Sequence, residues 1–134
     1  MRKASMYALA GLVGLVTPAI AAPKLSGTYL FSQRTKCPDR DYTLVGNVTF
    51  HSKTKMAHSN FCAYSDPNSY ACTILDNPYS NDDQSLMMFG ETSNVFYAKT
   101  HGFATAASFT GANKTTQCIW SGTLTSSEVE RARN

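Results

Sequence analysis

The cysteines are the residues of this chain whose type and spacing point most directly to a chemical role. There are four of them, at Cys37, Cys62, Cys72 and Cys118. No Cys-x-x-Cys pair is present, and an even count predicts two disulfides rather than a zinc site. Residues 62–72, Cys-Ala-Tyr-Ser-Asp-Pro-Asn-Ser-Tyr-Ala-Cys, mirror themselves about Pro67. A hairpin turn at that point places the two outer cysteines opposite each other, so we predict the bridges Cys62–Cys72 and Cys37–Cys118.

The histidines are candidate metal ligands or pH sensors. If two predicted strands pair through a turn at residues 52–55, His51 and His58 become diagonal neighbours on one face. That face is polar and carries no carboxylate at ligand spacing, so we expect both side chains in solvent. His101 lies in a predicted turn. We therefore predict no metal site.

Hydrolytic chemistry has little support in the sequence. The chain contains no Gly-x-Ser-x-Gly nucleophile elbow and no glycine-rich phosphate loop. Asp82-Asp83 is an adjacent carboxylate pair, but it lies among Ser, Asn and Gln in a polar loop, where neighbouring side chains diverge. We predict a protein that is not an enzyme and holds no cofactor, with an extracellular hydrolase as the third alternative.

The tyrosines provide the candidate recognition site. Tyr64 and Tyr70 flank the predicted hairpin turn, and Tyr79 follows in a turn-rich loop over residues 76–83. Tyrosine is enriched in binding hot spots because it offers a large contact area at a small entropic cost. The predicted partner-binding residues are Tyr64, Asp66, Asn68, Tyr70 and Tyr79. The alternative is that Tyr64 and Tyr70 stack across the hairpin and only stabilise it.

About eight short extended segments position these side chains. They are predicted from apolar-polar alternation bounded by turn residues. They cover residues 28–34, 42–51, 55–62, 70–75, 84–89, 94–100, 103–109 and 115–125. In the second segment Tyr42, Leu44, Gly46, Val48 and Phe50 share one face. The alanine-rich stretch 104–107 departs from the pattern, since alanine favours helix.

Short strands with hairpin-length links predict an all-β fold, an antiparallel meander of about eight strands closed into a barrel. Closure removes the exposed sheet edges, and the Cys37–Cys118 bridge would lie across it, joining the first strand region to the last. A two-sheet sandwich is the alternative.

The start of the first strand, Gly27-Thr28-Tyr29, resembles the Gly-x-Trp opening of lipocalins and avidins, which are small ligand-binding barrels. Tyr29 stands where those families have tryptophan, and the only tryptophan of this chain is Trp120. The resemblance implies the same closed-barrel architecture and carries no ligand with it.

The amino-terminal segment has the layout of a secretory signal peptide. Arg2 and Lys3 form a positive head, an apolar run follows, and Ala19-Ile20-Ala21-Ala22 offers small residues for cleavage. The run is shorter than the roughly 18 to 20 residues that span a bilayer. We therefore predict a secreted or periplasmic protein without stable membrane insertion. The predicted organisation is a signal peptide over 1–22, one β-barrel domain over 23–125 and a polar tail over 126–134.

The charge of the mature chain favours neither nucleic acid nor a membrane surface as a partner. Removal of residues 1–22 lowers the formal net charge from +3 to +1, because Arg2 and Lys3 leave with them. No run of basic residues remains.

Asn47 and Asn113 begin N-glycosylation sequons, which matter only in a eukaryotic secretory pathway.

These observations together predict a non-enzymatic binding protein whose tyrosine-rich loops recognise an extracellular macromolecule, as an inhibitor, an adhesin-like module or a secreted effector. The alternative is a carrier that holds a small apolar ligand inside the barrel, against Tyr42, Phe50, Phe61 and Trp120.

Overall fold

A computed structural model describes residues 22–66, 68–100 and 102–127. They form one antiparallel sheet of nine strands. The strands are β1 Gly27–Cys37, β2 Arg40–His51, β3 Met56–Asp66, β4 Ser69–Pro78, β5 Ser80–Asn81, β6 Ser85–Met88, β7 Glu91–Thr100, β8 Phe103–Asn113 and β9 Cys118–Ser126. The predicted all-β antiparallel meander is confirmed. Most of the predicted signal peptide, Pro67, His101 and residues 128–134 lie outside the described residues.

The sheet curls into a half-barrel that stays open, and the opening is not between the first and last strands. β1 and β9 pair along eight residue pairs, as the barrel prediction requires. The free edges belong to β4 and β5 instead. Tyr79 alone separates Pro78 of β4 from Ser80 of β5, so the two edges meet at that point. β5 pairs with β6 through only two residue pairs. Among the described strands only β3 pairs with β4, so the half-barrel is open where the sequence predicted a closed barrel.

Alternation along each strand decides which side chains line the concave face. On β2, Leu44, Val48 and Phe50 are buried, as the predicted apolar face requires. The alanine-rich stretch is part of β8 rather than a helix. A register shift opposite Ala98 and Lys99 lets Ala104 and Ala107 both be buried, so packing within the sheet overrides the helical preference of alanine.

Both predicted disulfides are present. Cys62 lies directly opposite Cys72 across the β3–β4 hairpin. Cys37–Cys118 joins the neighbouring ends of β1 and β9 and spans 81 residues of sequence. Two intramolecular bridges are compatible with an extracellular or periplasmic location, where thiols are oxidised.

The β6–β7 turn is shorter than the sequence suggests. Phe89 and Gly90 have φ angles of 54° and 76°, and two successive positive values are typical of a two-residue type I′ hairpin turn. Glu91 and Ser93 therefore belong to β7 rather than to the loop expected over 90–93. Ser126, expected in the polar tail, is likewise the last residue of β9.

Residues 22–26 cover one end of the half-barrel, which we call the base. The Lys24 N–H donates to the Gly102 carbonyl at 2.8 Å, and the Lys24 carbonyl accepts from the Ala104 N–H at 3.0 Å. Leu25 is buried in the core. The opposite end, where the turns at 38–39, 89–90 and 114–117 lie, is called the open end.

In the described part of the chain no helix has the length and apolarity needed to cross a membrane.

Candidate functional site

The concave face encloses a cavity of about 420 Å³ toward the open end. Its apolar walls include Tyr42, Leu44, Phe61, Leu75, Phe109 and Trp120. The polar groups are fewer and include Gln33, Thr35, Arg40, Glu91 and Ser93. A concave site of roughly 300–1,000 Å³, mostly apolar and with a small number of placed polar groups, is the usual form of a small-molecule site.

Phenylalanine rings form the floor between this cavity and the base. The buried ring of Phe31 has its centroid 6.2 Å from Phe61, 5.8 Å from Phe89 and 6.2 Å from Phe109. Phe61 and Phe89 are themselves 5.6 Å apart. These separations lie in the range of favourable aromatic contacts, so the floor is a packed ring cluster.

Glycines on the neighbouring strands make room for the aromatic walls. Three lining residues pair directly with a glycine: Phe61 with Gly46, Phe109 with Gly122 and Trp120 with Gly111. A Cβ atom on Gly111 would overlap the indole ring of Trp120, and one on Gly122 would overlap the ring of Phe109. A glycine inside a strand marks such a close approach, so Gly46, Gly111 and Gly122 are the sequence signal that could have located these walls.

Two hydrogen bonds hold hydroxyl groups in the cavity wall. Trp120 Nε1 donates to Ser93 Oγ at 2.8 Å, and Gln33 Nε2 donates to Thr35 Oγ1 at 3.1 Å. Ser93 and Thr35 are both buried. Because the hydroxyl oxygen accepts in each pair, its own O–H is the group that would donate to an acceptor on a bound molecule.

Charges of both signs lie at the open end of the cavity. The Arg40 guanidinium carbon is 5.7 Å from the centroid of the Tyr42 ring, a cation–π distance. Across the cavity, the Glu91 carboxylate accepts hydrogen bonds from Asn113 Nδ2 at 3.1 and 3.5 Å. Sequence reasoning did not identify Gln33, Arg40, Glu91 or Ser93 as site residues.

Three of the four residues predicted to line the barrel interior border this cavity, namely Tyr42, Phe61 and Trp120. Phe50 lies elsewhere. It is buried in the base, where its ring contacts Tyr29 at 5.5 Å and Tyr79 at 4.7 Å. Phe50 comes one residue before the end of β2, so its position along the strand puts it below the phenylalanine floor.

The β3–β4 hairpin brings most of the predicted recognition residues together. Tyr64 and Tyr70 stack on its convex face, with ring centroids 5.4 Å apart, and are 39% and 64% exposed. Asp66 ends β3 and pairs with Ser69, and Asn68 is exposed in the turn. Their role in partner binding stays a prediction.

Tyr79 lies apart from that hairpin tip, which corrects the exposed loop position expected for it. Its side chain is 3% exposed, and its hydroxyl donates to the Leu25 carbonyl at 3.2 Å. Turn-forming neighbours predicted a solvated loop. The ring instead fills the base at the point where β4 passes into β5, against residues 22–26.

The structure describes two of the three histidines and both members of the Asp82-Asp83 pair, and it places them on the exposed surface. His51 and His58 are exposed on the convex face, and His58 Nδ1 lies 2.7 Å from Asp76 Oδ1. Asp82 accepts from the backbone N–H groups of Gln84 and Ser85, which hold the pKa of its carboxyl below the usual value. Among the described residues no three His, Cys, Asp or Glu side chains gather as metal ligands.

No protein-family model, curated protein or solved structure matches this chain. The likeness of residues 27–29 to the opening of lipocalins and avidins therefore stays a likeness of those residues.

Proposed function

We propose that this is an exported, non-enzymatic binding protein that holds a small amphipathic molecule in the cavity of the half-barrel. The observation that carries the proposal is the cavity itself, about 420 Å³ in volume, open at one end and walled by aromatic rings. The predicted signal peptide and the two disulfides support export.

The chemistry of the walls indicates the class of ligand. The faces of Phe61, Phe109 and Trp120 suit an apolar or aromatic body, whose burial contributes about 25 cal/mol per Å². The hydroxyls of Ser93 and Thr35 suit a hydrogen-bond acceptor on that body. Such placed polar groups fix the orientation of a ligand within an apolar pocket.

A neutral aromatic probe, N-phenyl-1-naphthylamine, tests the cavity directly. We expect saturable enhancement of the probe emission together with a change in the emission of Trp120, which is the only tryptophan and lines the cavity. Leu75→Phe should weaken probe binding about tenfold or more by filling the cavity. Ile74→Phe is the matched control, because Ile74 immediately precedes Leu75 in β4 and is exposed on the other face.

Equal probe affinity in the two variants, or a signal that never saturates, would contradict the proposal. Native mass spectrometry of protein recovered from its own extracellular or periplasmic surroundings then gives the mass of the bound molecule.

A second candidate function is recognition of a macromolecule by Tyr64 and Tyr70. The observation that favours it is the exposure of two stacked rings on a hairpin held by the Cys62–Cys72 bridge. Rigid, exposed aromatic side chains lose little entropy on binding.

A further inference from the structure

The strand β4 presents a free edge along nearly its whole length. Residues 69–76 are all exposed, and β3 alone pairs with β4 among the described strands. Natural sheets protect such edges with lysine, bulges or a covering segment. Residues 70–75 read Tyr-Ala-Cys-Thr-Ile-Leu, and the only charged residue of β4 is Asp76. This edge is therefore long, uncharged over most of its length and rich in strand-forming residues.

Two observations identify the backbone groups of β4 that point away from β3. The Tyr79 N–H donates to the Lys55 carbonyl at 3.0 Å, which makes 55–79 a hydrogen-bonded position of the ladder. The Cα atoms of Cys62 and Cys72 are 3.9 Å apart, which is the close spacing of a non-hydrogen-bonded pair. Because the two kinds of pair alternate, the outward N–H and C=O groups belong to Tyr70, Cys72, Ile74 and Asp76.

We infer that a second copy of this chain docks on this edge, β4 against β4, antiparallel about a two-fold axis at Thr73. In that register Tyr70 faces the partner's Asp76, and Cys72 faces the partner's Ile74. Every outward N–H of both strands then meets a carbonyl. Other registers leave some of these groups unpaired. This register also sets each Asp76 carboxylate beside a tyrosine rather than beside its own symmetry mate.

The expected dimer is weak and specific. Main-chain hydrogen bonds supply the affinity when one strand is added to the edge of another sheet. One strand from each copy buries less than the roughly 1,200–2,000 Å² of a stable complex, so a Kd between about 10 μM and about 1 mM is expected. The Cys62–Cys72 bridge holds β4 in place, which reduces the ordering cost of pairing.

Sedimentation velocity of the disulfide-intact protein, from about 5 μM to about 1 mM, measures this association. Ile74→Pro removes one outward N–H without removing a bond to β3, and Ile74→Lys places a charge at the centre of the edge. Both should raise the dimer Kd at least about tenfold. Phe96→Lys is the control, because Phe96 is an exposed aromatic residue on β7, away from this edge.

Amide hydrogen exchange in the wild-type protein tests the same edge without a substitution that disturbs folding. The amides of Tyr70, Cys72 and Ile74 should exchange several-fold more slowly at high protein concentration, while the inward amides of Ala71 and Thr73 stay unchanged. A protein that remains monomeric over the whole range would overturn the inference. So would a dimer that leaves the outward amides unprotected, or one that Phe96→Lys abolishes.

Discussion

Trp120 donates its indole N–H to the Ser93 hydroxyl across 2.8 Å, and this bond ties β9 to β7 over the width of the strand between them. That strand, β8, carries Gly111 directly opposite Trp120. Because Gly111 has no side chain, the indole can pass over β8 and reach Ser93. One wall of the cavity therefore depends on three residues from three strands.

Ser93→Ala should destabilise the fold and weaken probe binding together. The substitution leaves the buried indole N–H of Trp120 unpaired, which costs about 1–3 kcal/mol. Urea unfolding and the probe titration measure the two effects. Ser108→Ala is the matched control, because Ser108 is an exposed serine of β8. Equal stability and equal probe affinity in the two variants would show that the Trp120–Ser93 hydrogen bond does not hold this wall of the cavity.

Gly111→Ala should displace the indole, because the added methyl group overlaps the ring of Trp120. We expect a shift in tryptophan emission, lower probe affinity and a loss of about 1–3 kcal/mol in the free energy of unfolding. Ala112→Ser changes the adjacent, exposed position of β8 and should leave all three unchanged. Unaltered tryptophan emission in Gly111→Ala would show that the indole does not lie over β8.

Tyr70→Ala and Tyr79→Ala should differ sharply in stability. Tyr70→Ala removes only a cross-strand ring contact, worth about 0.2–1 kcal/mol. Tyr79→Ala leaves a cavity in the base, and such large-to-small core substitutions of aromatic residues cost about 3–5 kcal/mol. Thermal and urea unfolding check the contrast.

Capture of a macromolecular partner separates recognition from packing in the same hairpin. Tyr64→Ala and Tyr70→Ala should each weaken capture by about 2 kcal/mol, roughly thirtyfold, if the rings form a hot spot. The double variant at His51 and His58 is the control. Variants that capture the partner normally but lose several kcal/mol of stability would assign the two rings to packing alone.

The alternation of side chains and the mirror symmetry of residues 62–72 were sufficient to predict the meander and both disulfides. Both signals are local, since strand period and hairpin register depend on near neighbours. The cavity could be predicted only in part. Gln33, Arg40 and Glu91 come from three strands, and their meeting depends on how far the sheet curls. Tyr79 was misplaced because burial at the base outweighs the turn preference of its neighbours.

The two disulfides should contribute unequally to stability. In the chain-entropy model, the Cys37–Cys118 bridge closes the longer loop and contributes about 4.5 kcal/mol, against about 2.8 kcal/mol for Cys62–Cys72. The corresponding double Cys→Ala variants, compared by urea unfolding, should show that order. The reverse order would indicate that the β3–β4 hairpin, rather than the pairing of β1 with β9, limits the stability of the sheet.

Stability should fall as the pH rises from about 10 toward about 12. Burial raises the pKa of Tyr97 from 10.0 to about 12. Above pH 10 the unfolded chain therefore releases the phenolic proton first, so the folded state binds more protons and higher pH favours unfolding. The contribution is fully present below pH 10. Tyr97→Phe should flatten this decline in urea unfolding measured at a series of pH values, whereas Tyr64→Phe should not.

The position of the Cys37–Cys118 bridge also determines how the molecule would respond to mechanical load. β1 and β9 lie side by side, and their base ends carry the segments that lead toward the two chain termini. Force applied there would separate the two strands one hydrogen bond at a time, starting from the base. The peeling would stop at the disulfide, which carries the load covalently. The covalent path of the load would then bypass residues 38–117, with the β3–β4 hairpin among them.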